Sequence, residues 1–302
     1  MRSFAIAGLQ LALSRQDNLA IIEDEIRAVK SRFPWLDMFL LSELTTFGPS
    51  PRFAQSLPGE AEQRYCELAR ECGVWIVPGS LFETAGDEIF NTAPVINPQG
   101  EVIARYRKMF PFLPYESGVS CGTDFVVFDV PGVGRFGLSI CYDMWFPETT
   151  RTLAWLGAEV ILHPSSTNTI DREVEVAIAR ASAATNQCYV LDINVAGELG
   201  MGRSCVFGPG GELIHQAGVG REIIAIEIDL DRVRHVRERG WHGLGQPLKS
   251  FRDSQVVYPP YQPGAAPSAA LAGLGPMALP AAVSGIDDDG EIAGEAGNDS
   301  GG

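Results

Sequence analysis

The chain has 302 residues, of which 45% are hydrophobic, and its formal net charge at pH 7 is −15. This length and apolar content allow one large buried core, and the acidic balance argues against nucleic acid or an anionic membrane as a partner. No apolar stretch approaches the roughly 20 residues that cross a bilayer. Met1-Arg2-Ser3 leads directly into a predicted strand, so we expect a cytoplasmic protein without a signal peptide.

Along the first 261 residues, runs with the two-residue period of strands alternate with amphipathic, helix-like runs. Many strands with few long helices predict an α/β architecture in which helices cover two sheets. The predicted helices are residues 18–32, 60–72, 147–156, 171–187 and 230–239. The predicted strands are residues 4–11, 38–41, 74–82, 93–97, 102–107, 125–130, 136–140, 160–163, 189–194, 204–207, 212–216 and 223–228.

The composition changes after Tyr261. Residues 262–302 are rich in Pro, Gly and Ala, carry only acidic charges and contain no Lys or Arg. Such a segment buries too little apolar surface to offset its ordering entropy. We therefore predict a folded domain over residues 1–261 and a disordered acidic tail over residues 262–302. The alternative is that the apolar run 271–279 docks on a neighbouring subunit.

The segment around Cys141 has the pattern of a nucleophile. An apolar strand, residues 136–140, delivers this cysteine to a tight bend, and Pro147 then opens a helix. A helix N-terminus carries partial positive charge, which favours thiolate over thiol, so we expect a lowered thiol pKa. The alternative is a buried structural thiol, since the chain contains six cysteines.

Two other predicted strands end in a single ionisable side chain. Glu43 follows the strand at residues 38–41, and Lys108 follows the strand at residues 102–107. A thiol that attacks, a carboxylate that moves protons and an ammonium that stabilises an oxyanion are the groups that covalent acyl transfer needs. The alternative is that Glu43 and Lys108 are solvated surface charges, because the sequence alone does not bring them together.

The contexts of these three residues resemble the Glu-Lys-Cys triad of the nitrilase, or carbon–nitrogen hydrolase, superfamily. Glu43 lies in S-E-L, Lys108 in Y-R-K-M-F-P-F and Cys141 in G-L-S-I-C-Y-D-M-W-F-P-E. Further similar segments, at residues 4–10, 158–165, 194–197, 202–204 and 208–211, extend the resemblance over about residues 2–260. The resemblance implies an α-β-β-α sandwich that pairs into an α-β-β-α-α-β-β-α homodimer or a higher homo-oligomer. It implies no metal and no organic cofactor.

Two features bear on the branch of this superfamily. Glu116 stands eight residues after Lys108, where amidases of the superfamily carry a second, substrate-positioning glutamate, although Ser117 departs from their pattern. The alternative is a plain loop carboxylate. Nitrilases typically follow the cysteine with Trp-Glu, whereas Cys141 precedes Tyr142-Asp143, which resembles amidases, including carbamoylputrescine amidases.

The resemblance therefore implies a thiol amidohydrolase that cleaves a small amide or an N-carbamoyl compound through a thioester. Lys108 and the backbone N–H of Tyr142 would hold the oxyanion. The candidate pocket walls, each of which could instead pack in the core, are Tyr115, Trp145 and Phe47. The alternatives are a nitrilase and a non-catalytic binding or scaffold member of the family.

The remaining cysteines and histidines are the residues that a metal site or a Cys–His mechanism would use. No Cys-x-x-Cys pair and no Cys–His spacing indicates a metal site, and free, mostly buried thiols are expected at Cys66, Cys72, Cys188 and Cys205. Cys121 lies in a loop near the proposed pocket. For a Cys–His mechanism, His163 is the main candidate for the base, because it ends an apolar strand.

Overall fold

A computed structural model describes residues 3–278 of the chain. These residues divide into two units, one formed by residues 3–111 and 118–254 and the other by residues 112–117 and 255–278. In chain order the strands are β1 Phe4–Gln10, β2 Ala12–Leu13, β3 Met38–Leu41, β4 Trp75–Val77, β5 Leu81–Ala85, β6 Glu88–Ile96, β7 Val102–Arg107, β8 Val127–Val130, β9 Gly134–Leu138, β10 Val160–Ser165, β11 Tyr189–Asn194, β12 Ala196–Gly197, β13 Cys205–Phe207, β14 Leu213–Gln216 and β15 Glu222–Ile228.

The first unit contains two larger mixed sheets. One has the order β15-β1-β3-β4-β6-β5 with β7 paired to β6, and the other has the order β14-β13-β11-β10-β9-β8. Strands β1, β3 and β4 run parallel to one another, as do β9, β10 and β11. The residues on which the candidate site depends lie at or just beyond the C-terminal ends of β3, β7, β9 and β10.

The helices follow the predicted bounds closely. They are α1 Leu19–Arg32, α2 Glu60–Cys72, α3 Pro147–Trp155, α4 Arg172–Asn186, α5 Leu230–Arg239, α6 Pro247–Asp253 and α7 Ala269–Ala272. The five helices predicted from the sequence, α1 to α5, begin and end within one residue of their predicted bounds, whereas α6 and α7 were not predicted. Between residues 3 and 278, no helix combines the length and apolarity that a membrane crossing requires.

Side chains alternate between the two faces of each sheet and so build three apolar layers. Leu40 points between the sheets, where it joins Leu138 and Leu162, all fully buried. Its neighbours Phe39 and Leu41 point the other way and pack under α1 and α2. The outer face of the second sheet packs in the same manner under α3 and α4. This layering is the α-β-β-α sandwich that the resemblance implies.

The predicted strand at residues 74–82 is wrong in one respect, because it is two strands, β4 and β5. The strand is interrupted at Pro78-Gly79-Ser80, where Gly79 has φ +77°. Gly79 lies so close to Ser42 that a Cβ at this position would stand 1.7 Å from the Ser42 carbonyl oxygen. Ser80 Oγ also accepts a 3.2 Å hydrogen bond from Leu44 N. The break therefore lets this loop pack against the segment that carries Glu43.

The second unit contains a short loop and the C-terminal segment. Within the loop, Glu116 N donates to Phe112 O at 2.9 Å, Phe112 N donates to Glu116 Oε2, and the rings of Phe112 and Tyr115 stack at 4.9 Å. Residues 262–278 of the predicted tail are exposed and include α7, and residues 279–302 lie outside the described residues. The domain division at residue 261 stays a prediction.

Gly79→Ala should destabilise the protein much more than Gly86→Ala. Both glycines have positive φ, so each substitution costs about 1–2 kcal/mol of backbone strain. Only at position 79 does the new methyl group meet backbone atoms, since nothing lies within 4 Å of a Cβ at Gly86. We expect Gly79→Ala to lose at least about 3 kcal/mol of unfolding free energy in urea titrations. Equal losses would contradict the close approach at Ser42.

Candidate active site

Glu43 and Lys108 meet as a buried ion pair. Glu43 follows the end of β3, Lys108 follows the end of β7, and Lys108 Nζ lies 2.8 Å from Glu43 Oε1. Only 3% of Glu43 and 1% of Lys108 is exposed, so the alternative of two solvated surface charges is wrong. Because desolvating each ion costs several kcal/mol, such a pair persists only where its partners are well positioned.

Asn91 of β6 holds both members of this pair. Its side-chain Nδ2 donates to Glu43 Oε1 at 2.8 Å, and its backbone oxygen accepts from Lys108 N at 2.8 Å. Glu43 N in turn donates to the carbonyl of Ser165, which ends β10 in the opposite sheet. The sequence analysis missed Asn91, because its role depends on strand pairing rather than on a local motif.

Cys141 lies at a strained turn directly after the strand end. Strand β9 stops at Leu138, and Cys141 takes φ +46° as the first residue of a 3₁₀ turn, Cys141–Trp145. A side chain in this left-handed region costs about 1–2 kcal/mol, which the surrounding contacts must offset. The turn separates Cys141 from the first residue of α3, Pro147.

The expected lowering of the Cys141 pKa is wrong. The residue as a whole is half-buried, but burial of the thiol itself raises its pKa well above the usual range. The Glu43 carboxylate raises this pKa further, while Lys108 opposes the shift. Desolvation of the thiolate therefore outweighs any stabilisation by the N-terminus of a helix, and the thiol stays protonated until a base accepts its proton.

Asp143 ties the Cys141 turn to the Lys108 segment. Its carboxylate accepts hydrogen bonds from Ile140 N at 2.8 Å, Phe110 N at 2.9 Å and Tyr106 Oη at 2.7 Å. Burial raises the pKa of Asp143 to about 6, and the hydrogen bonds from Tyr106 and the backbone oppose this rise. The sequence analysis used Asp143 only to distinguish amidases from nitrilases, and it missed that this carboxylate connects the Cys141 turn to the Lys108 segment.

His163 contacts the main chain of Cys141. Its Nδ1 lies 2.7 Å from Ser139 Oγ, and the ring also hydrogen-bonds the Cys141 backbone. Burial lowers the pKa of His163 to about 4, so the ring is neutral at pH 7. These contacts make His163 a brace for the turn, and they leave the Cys–His alternative without a geometric basis.

The other predicted site residues lie in different surroundings. The Tyr142 ring packs in the Cys141 turn, 6.2 Å from Trp145 and 5.3 Å from Phe146 between centroids. Phe47 stacks on Phe53 and is partly buried where it packs against the apolar layer under α1 and α2, which favours the packing alternative. Tyr115 and Glu116 belong to the loop of the second unit, and their roles stay predictions.

A further set of buried polar residues approaches the thiol and was also missed. Thr167 Oγ1 lies 3.9 Å from Cys141 Sγ and donates to Glu175 of α4.

The six cysteines are free of disulfides, with Cys188 and Cys205 buried and Cys121 exposed. Across residues 3–278, no three His, Cys, Asp or Glu side chains come together as a metal site would require.

Comparisons with known proteins bear on the family and the fold of this chain. The family model described as Carbon-nitrogen hydrolase matches residues 4–238. The human omega-amidase NIT2 is 29% identical over 258 residues, which cover 79% of this chain and 93% of that protein. The crystal structure of Nit3 from Saccharomyces cerevisiae, of the nitrilase superfamily, superposes with a TM-score of 0.72 at 28% identity and covers 78% of this chain and 94% of Nit3.

A second similar structure shows cysteine chemistry directly. It is a mutant of the amidase from Nesterenkonia sp. AN1, with the acetamide moiety of fluoroacetamide covalently added at the active-site cysteine. Its TM-score is 0.69 at 25% identity, with 79% of this chain and 96% of that chain covered. A fold of this kind thus supports covalent addition at a cysteine.

Replacing His163 should remove part of the acid sensitivity of folding. The lowered folded-state pKa means that neutral His163 stabilises the protein fully above the unfolded pKa of about 6.5, and that this stability falls as the pH drops toward 4. Between pH 7 and pH 5 the unfolding free energy of His163→Gln should fall by about 2 kcal/mol less than that of the unsubstituted protein. Urea titrations at both pH values measure this difference, and identical pH dependence would refute the buried neutral ring.

Proposed function

We propose that this chain, which belongs to the carbon–nitrogen hydrolase family, cleaves small amides or N-carbamoyl compounds through a thioester on Cys141. The chain is an amidase and a thiol amidohydrolase, as the amidases that match most of its length indicate. The observation that carries the finer proposal is the buried Lys108–Glu43 ion pair, whose two charges both act on the Cys141 thiol.

In the first half of the reaction Glu43 is the general base. Because the thiol pKa is raised, Glu43 accepts the thiol proton as Sγ attacks the carbonyl carbon of the amide. Lys108 and the backbone N–H of Tyr142 stabilise the oxyanion of the tetrahedral intermediate. Glu43 then returns the proton to the leaving nitrogen, the C–N bond breaks, and ammonia or an amine departs from the thioester.

In the second half water takes the place of the leaving group. Glu43 accepts a proton from water as its oxygen attacks the thioester carbonyl, and the same two donors hold the new oxyanion. Collapse of this intermediate breaks the C–S bond and releases the carboxylic acid. The proton on Glu43 returns to the Cys141 thiolate, so the enzyme regains its starting state without a metal or an organic cofactor.

Two further expectations rest on the family resemblance. Glu116 would position the substrate, with Tyr115 beside it in the same loop, and Glu116→Gln should then raise KM. The chain would form a homodimer or a higher homo-oligomer, and from its composition we propose that it acts in the cytoplasm. The mass of the protein in solution tests the assembly directly, and a monomer would contradict it.

A panel of three substrate classes tests the proposed function. Butyramide, an N-carbamoyl compound and butyronitrile are each incubated with the protein, and the released ammonia, butyric acid, amine and carbon dioxide are measured. Ammonia with butyric acid from the amide, or ammonia with amine and carbon dioxide from the N-carbamoyl compound, supports the proposal. Ammonia from the nitrile but not from the amide would favour a nitrilase, and no turnover of any compound would favour a non-catalytic family member.

Cys141→Ala should abolish turnover of butyramide while the protein remains folded. Loss of the nucleophile in a covalent catalyst lowers kcat by about 10⁶-fold. Cys66→Ala is the matched control, because Cys66 is a half-buried thiol on α2 and contacts the apolar layer under that helix. Activity close to that of the unsubstituted protein in a folded Cys141→Ala variant would end the thioester mechanism.

Lys108→Met should lower kcat by about 10²–10³-fold, since one oxyanion donor is lost. The matched control is Arg105→Met on β7, the strand that Lys108 follows, because Arg105 pairs with Glu62 at 2.7 Å. Because Lys108→Met leaves Glu43 buried without its cation, a urea titration of the variant must first show that it is folded. A folded Lys108→Met protein with less than a threefold loss would remove Lys108 from the mechanism.

A further inference from the structure

A buried group of polar side chains reaches Cys141 from α4, and the mechanism above does not use it. We call Thr167, Arg172, Glu175 and Asp192 the Glu175 cluster. Thr167 Oγ1 lies 3.9 Å from Cys141 Sγ and donates its hydrogen to Glu175 Oε1 at 3.0 Å. Glu175 is thus one hydrogen bond removed from the reacting sulfur, and its charge also acts on the thiol.

The Glu175 cluster carries an excess of negative charge. Glu175 Oε2 lies 3.1 Å from Arg172 Nη1, and the same nitrogen lies 2.8 Å from Asp192 Oδ2. Arg172 and Asp192 are fully buried, and the side chain of Glu175 is 12% exposed. Two carboxylates therefore share one guanidinium, whereas the Glu43–Lys108 pair is neutral as a whole.

Thr167 is held rigidly between the thiol and Glu175. Its backbone N donates to Asn194 Oδ1 at 2.8 Å, and Asn194 Nδ2 donates back to Thr167 O at 3.0 Å. With its hydroxyl hydrogen committed to Glu175, Thr167 presents lone pairs toward Cys141. This side of the thiol therefore offers hydrogen-bond acceptors and negative potential.

We infer that Glu175 selects the substrate class by excluding amides whose acyl chain carries a carboxylate and admitting neutral or cationic acyl chains. The inference rests on the proposed function. In that mechanism the carbonyl oxygen faces Lys108 and the leaving nitrogen faces Glu43. The acyl chain is the remaining substituent of the reacting carbon, and the inference places it on the side of Cys141 Sγ where Thr167 and Glu175 lie.

The size of the effect follows from Coulomb's law. A second negative charge some 6 Å from Glu175 would be disfavoured by roughly 10- to 100-fold at the effective dielectric constant of a partly buried site. A cationic or hydrogen-bond-donating group at the same place would be favoured. Specificity of this kind needs repulsion of the wrong substrate as much as attraction of the right one.

Three amides of similar length test this inference: butyramide, which is neutral, 4-aminobutyramide, which is a cation, and succinamate, which is an anion. We expect kcat/KM for succinamate to lie at least tenfold below that for butyramide, with 4-aminobutyramide at or above butyramide. Glu175→Gln keeps an acceptor for Thr167 but removes the charge. It should raise the succinamate-to-butyramide ratio about tenfold or more while butyramide turnover stays within a few-fold.

Glu173→Gln is the matched control. Glu173 also lies in the first turn of α4, but it is exposed and pairs with Arg203. The same change of charge there should leave the ratio unaltered. An altered ratio in Glu173→Gln of the same size as in Glu175→Gln would overturn the inference, because the effect would then come from the general charge of the helix.

The outcomes separate this inference from the proposed function. Butyramide turnover that depends on Cys141, together with an unchanged ratio in Glu175→Gln, would overturn only the role of Glu175. Succinamate hydrolysed as well as butyramide by the unsubstituted protein would overturn it too, even if Glu175→Gln failed to fold. If no amide is hydrolysed, or if Cys141→Ala retains activity, the proposed function fails and the inference falls with it.

Discussion

The buried ion pair of Glu43 and Lys108 is the constraint on which the rest of the site depends. Two charges removed from water are tolerated only when their geometry is close and each is further hydrogen-bonded. The 2.8 Å separation is set by the ends of β3 and β7, and Asn91 of β6 contacts both residues. A shift of register in any of these strands would leave one charge buried and unpaired, so the register of the sheet and the chemistry of the site are fixed together.

The same pair determines how the thiol is held before reaction. Burial and Glu43 raise the Cys141 pKa, and Lys108 only partly opposes them. The resting thiol therefore holds its proton, and in the proposed mechanism Glu43 removes that proton as the sulfur attacks. This requirement explains why the turn is braced so firmly: Asp143 holds the Lys108 segment against it, and neutral His163 holds its main chain.

The parts that could be predicted from the sequence are those with local signals. Amphipathic periods and capping residues gave α1 to α5 within a residue, and single charges after apolar runs singled out Glu43 and Lys108. Asn91, Asp143 and Glu175 could not be found in this way, because their roles come from contacts between distant segments. Burial is equally invisible in a local motif, and for that reason the direction of the thiol pKa was wrong.

The proposed catalytic groups and the proposed specificity residue Glu175 lie on different kinds of element. The ion pair belongs to strand ends, where a change of one residue disturbs pairing and register. Glu175 projects from α4, a helix that packs over the second sheet and contributes no backbone pairing to it. A substitution at this helical position changes the charge beside the thiol without altering any strand pairing. In such an arrangement substrate preference can diverge among related chains while the strand-end groups stay as they are.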